Sequence, residues 1–192
     1  MPDRNPAALS FLLNRRSRPA KTLSLPVPTR DQLMPILAAA ARSPDHGKLE
    51  PWRFIVIEGA AMARLADLAG ARGAALGKPG EEIAKARSQF DQGHLAVAVI
   101  EVQKPSDKIP AIEQSYSAGA VCLALLNAAL ASGWGANWLT GWVAHDPGFC
   151  REGLGLAENE HIAGFIHIGT ETSAPPERPR PDIAAITSWL DA

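Results

Sequence analysis

From Gln114 to Ala144 the chain carries no charged residue, although Asp, Glu, Lys and Arg make up 20% of all positions. Such a stretch is ill suited to a solvated surface. Its apolar part, Ala118 to Ala131, is broken by Asn127 and followed by Ser132-Gly133-Trp134-Gly135. That is too short for a membrane span, which needs roughly 20 apolar residues. The pattern predicts a helix over residues 110–132, buried on most sides at the centre of a domain or of a dimer.

The rest of the chain is consistent with one domain built around that helix. Its 192 residues suffice for a core of their own, and 46% hydrophobic content is ordinary for a globular protein. A net charge of −1 gives no electrostatic footprint for nucleic acid or an anionic membrane, so neither partner is expected. Cys122 and Cys150 are far apart and fit no metal or redox spacing. Cys122, in the apolar helix, reads as a buried thiol. The start, Met-Pro-Asp-Arg-Asn-Pro, has no apolar run behind a basic segment, and a cytoplasmic location is expected.

Helical spacing is visible at residues 5–15, with Ala8, Leu9, Leu12 and Leu13 on one side. Thr29-Arg-Asp-Gln32 forms a capping box for a second helix with Leu33, Ile36, Leu37 and Ala40. Pro35 implies a kink there or a start nearer Met34, and Pro44 ends the helix at Arg42 or Ser43. Phe54 to Ile57 reads as a buried strand, Leu95 to Val102 as the best strand, and Trp134 to Val143 and Ile162 to Gly169 as two more. Helices are expected over 60–72, 80–90 and 146–155. Residues 173–182, with Pro175, Pro176, Pro179 and Pro181, favour an extended form. Loose alternation of strands and helices makes the class α/β or α+β.

Several familiar motifs fail on inspection. Gly73 to Pro79 is one residue short of a phosphate-binding loop and has proline where a serine or threonine would hold magnesium. Gly133-Trp-Gly135 lacks the third glycine of a dinucleotide fingerprint. Histidines 46, 94, 145, 161 and 167 are scattered. His161 and His167 could share a strand face, but no metal site is expected.

What survives is a set of donors. Arg15, Arg16 and Ser17 close the first helix, Arg42 and His46 flank the loop before Pro51-Trp52, and Trp138-Leu139-Thr140 follows the buried helix. A flavin mononucleotide (FMN) brings a phosphate dianion that wants arginine and hydroxyl donors, and a ring that gains negative charge on reduction. Taken alone, two adjacent arginines at a helix end more often stay solvated and favour the helix dipole.

In order along the chain, Asn14-Arg-Arg-Ser17, Ala41-Arg-Ser-Pro-Asp-His46, Pro51-Trp-Arg-Phe54, Ser117-Ala-Gly-Ala120, Gly133-Trp-Gly-Ala-Asn-Trp138 and Gly164-Phe-Ile-His-Ile-Gly-Thr170 resemble the nitroreductase family. The short chain and the Pro-Asp-His loop look most like its minimal bacterial nitroreductase-like subfamily. The resemblance implies an α+β fold, a three-layer sandwich with a central mixed β-sheet flanked by helices. It implies a domain-extended homodimer in which residues 173–192 form an arm reaching the partner subunit. Two flavin sites at the interface would use Arg15, Arg16, Ser17, Trp138, Leu139 and Thr140, with Arg42 and His46 supplied by the other subunit. Ala128, Ala129, Leu130, Ala131, Ser132 and Gly133 correspond to a nicotinamide contact. Leu139 stands where close relatives have arginine, so phosphate binding must lean on Arg15 and Arg16, with Arg178 or Arg180 as compensating cations. Gly47-Lys48 follows His46, where a lysine directly after the histidine is more usual.

The implied activity is FMN-dependent oxidation of NADH or NADPH with reduction of nitroaromatic, quinone or similar electron-poor acceptors, in ping-pong order and without a catalytic side chain. Alternatives are a non-enzymatic dimeric flavin carrier or sensor, or a related flavin reaction such as reductive dehalogenation or flavin cleavage.

Overall fold

The computed structural model describes residues 3–191. In chain order the elements are α1 (Pro6–Asn14), β1 (Leu23–Ser24), α2 (Arg30–Ala40), β2 (Trp52–Glu58), α3 (Ala60–Ala75), α4 (Gly80–Asp91), β3 (Leu95–Val102), α5 (Ala111–Ala131), β4 (Gly135–Leu139), α6 (Pro147–Leu154) and β5 (Glu160–Glu171). The sheet runs β1-β5-β3-β2, and β4 also pairs with β5. On one face Ile57, Leu65, Phe90, Ile100, Phe149 and Phe165 pack under α3, α4 and α6. On the other, Leu33, Ile36, Val97, Leu125, Ile166 and Ile168 pack under α2 and α5. The fold is the expected α+β sandwich of three layers.

The sheet is not mixed, however. Every strand pair among the described residues is antiparallel. The α3–α4 hairpin returns the chain to the end it left, so β3 runs against β2. The single crossover through α5 does make β4 parallel to β3, but β5 inserts between them and opposes both. The parallel relationship therefore never becomes a neighbouring pair.

Strand β3 matches its expected bounds because both faces are covered and every position from Leu95 to Glu101 is apolar or engaged. The expected buried strand at Phe54–Ile57 is instead the outer strand of the sheet. Only Ile57 of β2 is fully buried, and Val56 is exposed. β-branched residues tolerate an edge as readily as a centre, so composition does not separate the two. The third expected strand stops at Leu139. Gly141, at φ 79°, turns the chain into a 3-10 turn over Trp142–His145.

Helix α2 starts at Arg30 behind the Thr29–Gln32 capping box and runs through Pro35, so it does not begin at Met34. Helix α5 buries Ser117, Ala118, Val121, Cys122, Leu125, Leu126 and Ala129. Its other face leaves Ile112, Tyr116 and Leu123 exposed, so within one chain it is buried on one side rather than most. α5 is long and apolar enough to cross a membrane, but here its buried face covers the sheet.

Strand β5 carries a bulge. Val99 pairs with Gly164, but Ile100 pairs with Ile162, leaving Ala163 as an extra residue on β5. The bulge changes the side-chain phase. His161 lies opposite Glu101, which faces α5 through Ser115, whereas His167 lies opposite Ala96 in the cluster under α3 and α4. The two histidines do not share a face.

Candidate functional site

The arginine segment is fixed by the sheet. After α1 ends at Asn14, the backbone N–H of Arg18 donates to the Ala136 carbonyl at 2.8 Å. The Asn137 side-chain amide donates back to the Arg18 carbonyl at 2.6 Å. The Arg18 guanidinium reaches Glu171 Oε2 at 2.8 Å. Residues 15–18 are thus held against β4 and the end of β5.

Four guanidinium groups gather there. Arg15 Nη2 donates to Ser17 Oγ at 3.0 Å. Burial, then the charges of Arg180, Arg16 and Arg18, push the Arg15 pKa below its ordinary value. Arg180 comes from the C-terminal segment and pairs with Glu177 at 3.0 Å, and Glu177 lies 3.9 Å from Arg16 Nη1. Two carboxylates, Glu171 and Glu177, therefore face four cations. Arg15 Nε and Arg16 Nη1 are buried and have no hydrogen-bond partner. Leaving a buried charged donor unmatched is costly, and an anion with several acceptor oxygens removes that cost. The two arginines line a cavity of about 330 Å³ together with Phe11, Leu130, Gly133 and Trp134.

A larger cavity, about 640 Å³, lies where β4 ends. Trp138, Leu139 and Thr140 line it with Trp142, α4 contributes Lys85, Ser88 and Gln89, and Gln92 follows just past the helix end. Lys21 also lines it, and neither Lys21 nor Lys85 has an ion-pair partner among the described residues. Glu82 also lines it but is paired with Lys78 at 3.3 Å. The cavity is thus an aromatic slot with net positive charge. Trp138 packs on Gly164, whose missing side chain leaves room for the indole.

These positions sort the expected residues. Arg15 and Arg16 share one cavity with Leu130 and Gly133 from the nicotinamide segment, and Trp138, Leu139 and Thr140 share the other. Ala129 is buried in the core and out of a ligand's reach, while Ala128, Ala131 and Ser132 line neither cavity. Arg42, in the turn after α2, and His46 also line neither. His46 sits in a 3-10 turn over His46–Lys48 and meets Glu113 on α5. Of the two tail arginines, Arg180 joins the cluster by its charge on Arg15.

Sequence reasoning missed Arg18 and the polar face of α4. Arg18 continues the run Arg15-Arg16-Ser17-Arg18, which was a usable signal. Lys85, Ser88 and Gln89 gave none, since a polar helical face usually meets water. No group of three His, Cys, Asp or Glu residues among the described residues could hold a metal ion.

A sequence model of the nitroreductase family matches residues 12–170. The chain is 38% identical over 163 residues to "Putative NAD(P)H nitroreductase YdjA" of Escherichia coli K12, covering 85% of this chain and 87% of that protein. Among solved structures, a nitroreductase-like family protein from Bacillus cereus superposes with a TM-score of 0.81 at 22% identity, over 100% of both chains. A "putative nitroreductase in complex with FMN" from Desulfovibrio desulfuricans gives 0.75 at 19% identity, over 98% of this chain and 99% of that one.

Proposed function

The chain belongs to the nitroreductase family, and from that premise we propose that it is a single-domain FMN-dependent oxidoreductase using NADH or NADPH. The observation that carries the reading is the pair of buried guanidinium nitrogens on Arg15 and Arg16 that have no hydrogen-bond partner, within a cluster of four arginines. They fit a phosphate dianion, and Arg18 and Arg180 supply the cation that Leu139 does not. Ser17 adds a hydroxyl beside Arg15.

Bound FMN would supply the centre that takes a hydride from the nicotinamide and returns it to an acceptor. The protein's part is to bind, orient and bias. Arg15, Arg16, Ser17 and Arg180 hold the phosphate end. The slot at Trp138–Thr140 takes the planar end, where Lys21 and Lys85 favour negative charge. Nicotinamide and acceptor occupy the same position in turn, which is ping-pong order. Nitroaromatics and quinones suit this aromatic slot as acceptors.

The working form is a homodimer. Leu9, Leu12 and Leu13 of α1, Tyr116 and Leu123 of α5, and Ile183, Ile186, Trp189 and Leu190 of the tail are all exposed in one chain. That much apolar surface favours a partner. A second copy would cover it, with the arm at residues 173–192 reaching across and Arg42 and His46 completing the partner's flavin site. Free Cys122 and Cys150 suit the cytoplasm.

The test is an anaerobic absorbance spectrum of purified protein before and after NADPH and NADH. A flavin spectrum that bleaches on addition of either nucleotide and recovers with a nitroaromatic supports the reading. Protein that neither carries nor takes up FMN overturns it.

A further inference from the structure

The loop between α2 and β2 is held in an unusual shape. Gly47, Lys48 and Glu50 lie in the left-handed region, at φ 72°, 55° and 47°. For lysine and glutamate that conformation persists only where the surroundings impose it. Here they do. The Glu50 N–H donates to Asp45 Oδ2 at 2.5 Å, the Lys104 ammonium donates to the Leu49 carbonyl, and Ile109 packs under Gly47. The fourth tie is to His46 itself, whose Nδ1 lies 2.7 Å from Glu113 Oε2 in the first turn of α5.

That fourth tie is exposed on both sides, the two side chains being 61% and 41% accessible. An ion pair in such a position adds little to stability. What it does is select. A carboxylate on Nδ1 puts the shared proton there and fixes the ring plane, leaving Nε2 as the nitrogen free to meet a ligand. Nε2 has no hydrogen-bond partner among the described residues, and the side chain is mostly exposed.

We infer that Glu113 is a positioning residue, which holds the His46 ring in one tautomer and orientation for the flavin bound to the partner subunit. The inference rests on the functional reading above. It assigns to α5 a second task beside its core packing: its first turn orients the ligand-facing histidine.

FMN dissociation constants, measured by flavin fluorescence quenching on dimeric protein, test it with Glu113→Leu, Glu113→Gln, His46→Ala and the His46→Ala/Glu113→Leu double variant. Losing one hydrogen bond to Nδ1 should weaken FMN binding by about two- to tenfold in Glu113→Leu. Glu113→Gln should stay within about twofold of wild type, because its amide oxygen still accepts from Nδ1. In the His46→Ala background, Glu113→Leu should add nothing. The inference is overturned if Glu113→Leu weakens binding equally without His46, if Glu113→Gln behaves like Glu113→Leu, or if His46→Ala leaves affinity unchanged. A wild-type protein that does not bind FMN at all would instead overturn the functional reading.

Discussion

The indole of Trp138 occupies the space a side chain on Gly164 would need: a Cβ built there would lie 2.1 Å from the Trp138 ring nitrogen. Gly164 follows the bulged Ala163 on β5, and Trp138 lines the larger cavity from β4. Gly164→Ala must therefore push the indole aside. Overpacking of this kind costs about 1–3 kcal/mol. The variant should unfold at lower urea than wild type and hold FMN less tightly, because Leu139, the next residue of β4, lines the larger cavity and moves with the strand. Unchanged flavin retention would show that Trp138 does not touch the cofactor.

Arg15→Ala and Arg16→Ala each remove a guanidinium that carries one buried nitrogen without a hydrogen-bond partner. If each makes a charge-assisted bond to phosphate, worth roughly 1.5–3 kcal/mol, FMN affinity should fall by about tenfold or more. The same substitutions should not reduce stability of the FMN-free protein, since they relieve repulsion among Arg15, Arg16, Arg18 and Arg180. Isothermal titration and thermal melts with and without FMN separate the two effects. Arg180→Ala should lower affinity in the same direction.

His167 gives a pH signature that owes nothing to the ligand. Burial pushes its pKa down from 6.5 to about 4, and its Nε2 has no partner. Below pH 6.5 the unfolded chain takes up a proton that the folded protein refuses. Stability should therefore fall as pH drops from about 6.5 to 4 and be indifferent to this group above that window. The total is roughly 3 kcal/mol by linkage. His167→Gln should flatten the upper part of that acid limb, before the carboxylates of Asp146 and Glu160, both held low by arginine, begin to protonate. Denaturant midpoints measured between pH 7 and 4.5 would show it.

Cys122 lies fully buried in α5, and burial pushes its thiol up to about 12. Cys150 is half-buried and shifted in the same direction. Neither should react with a thiol reagent at pH 8 on the timescale of an exposed cysteine. Two equivalents should appear on unfolding. Fast labelling of Cys122 in the folded protein would mean that α5 opens locally.

The sequence was most readable where one physical demand acted alone. Leu95 to Val102 had to be a strand, because its β-branched run admits no polar face, and residues 110–132 had to hold a helix with at least one buried face. It was less readable where two solutions share a composition. Phe54 to Ile57 suits a central strand as well as the outer one it forms. The bulge at Ala163 left no trace, because an extra alanine beside a glycine changes register without changing hydrophobicity. The candidate site divides in the same way. Arg15, Arg16 and Ser17 announced themselves as adjacent donors, whereas Lys85, Ser88 and Gln89 only become cavity residues once α4 is packed beside β4. No reading of single positions could supply that relation.

The last strand made is the middle one of the sheet. β5 joins β3 on one side to β1 and β4 on the other, and the arginine segment is tied to it by the bond from Arg18 to Glu171, 153 residues apart. A nascent chain with residues 1–159 already outside the ribosome would hold every described helix and four strands, yet its β3 and β4 would have no common neighbour and Arg18 would lack its Glu171 partner. Completion of the sheet is therefore a late event in translation, and the proposed flavin site cannot be whole before it.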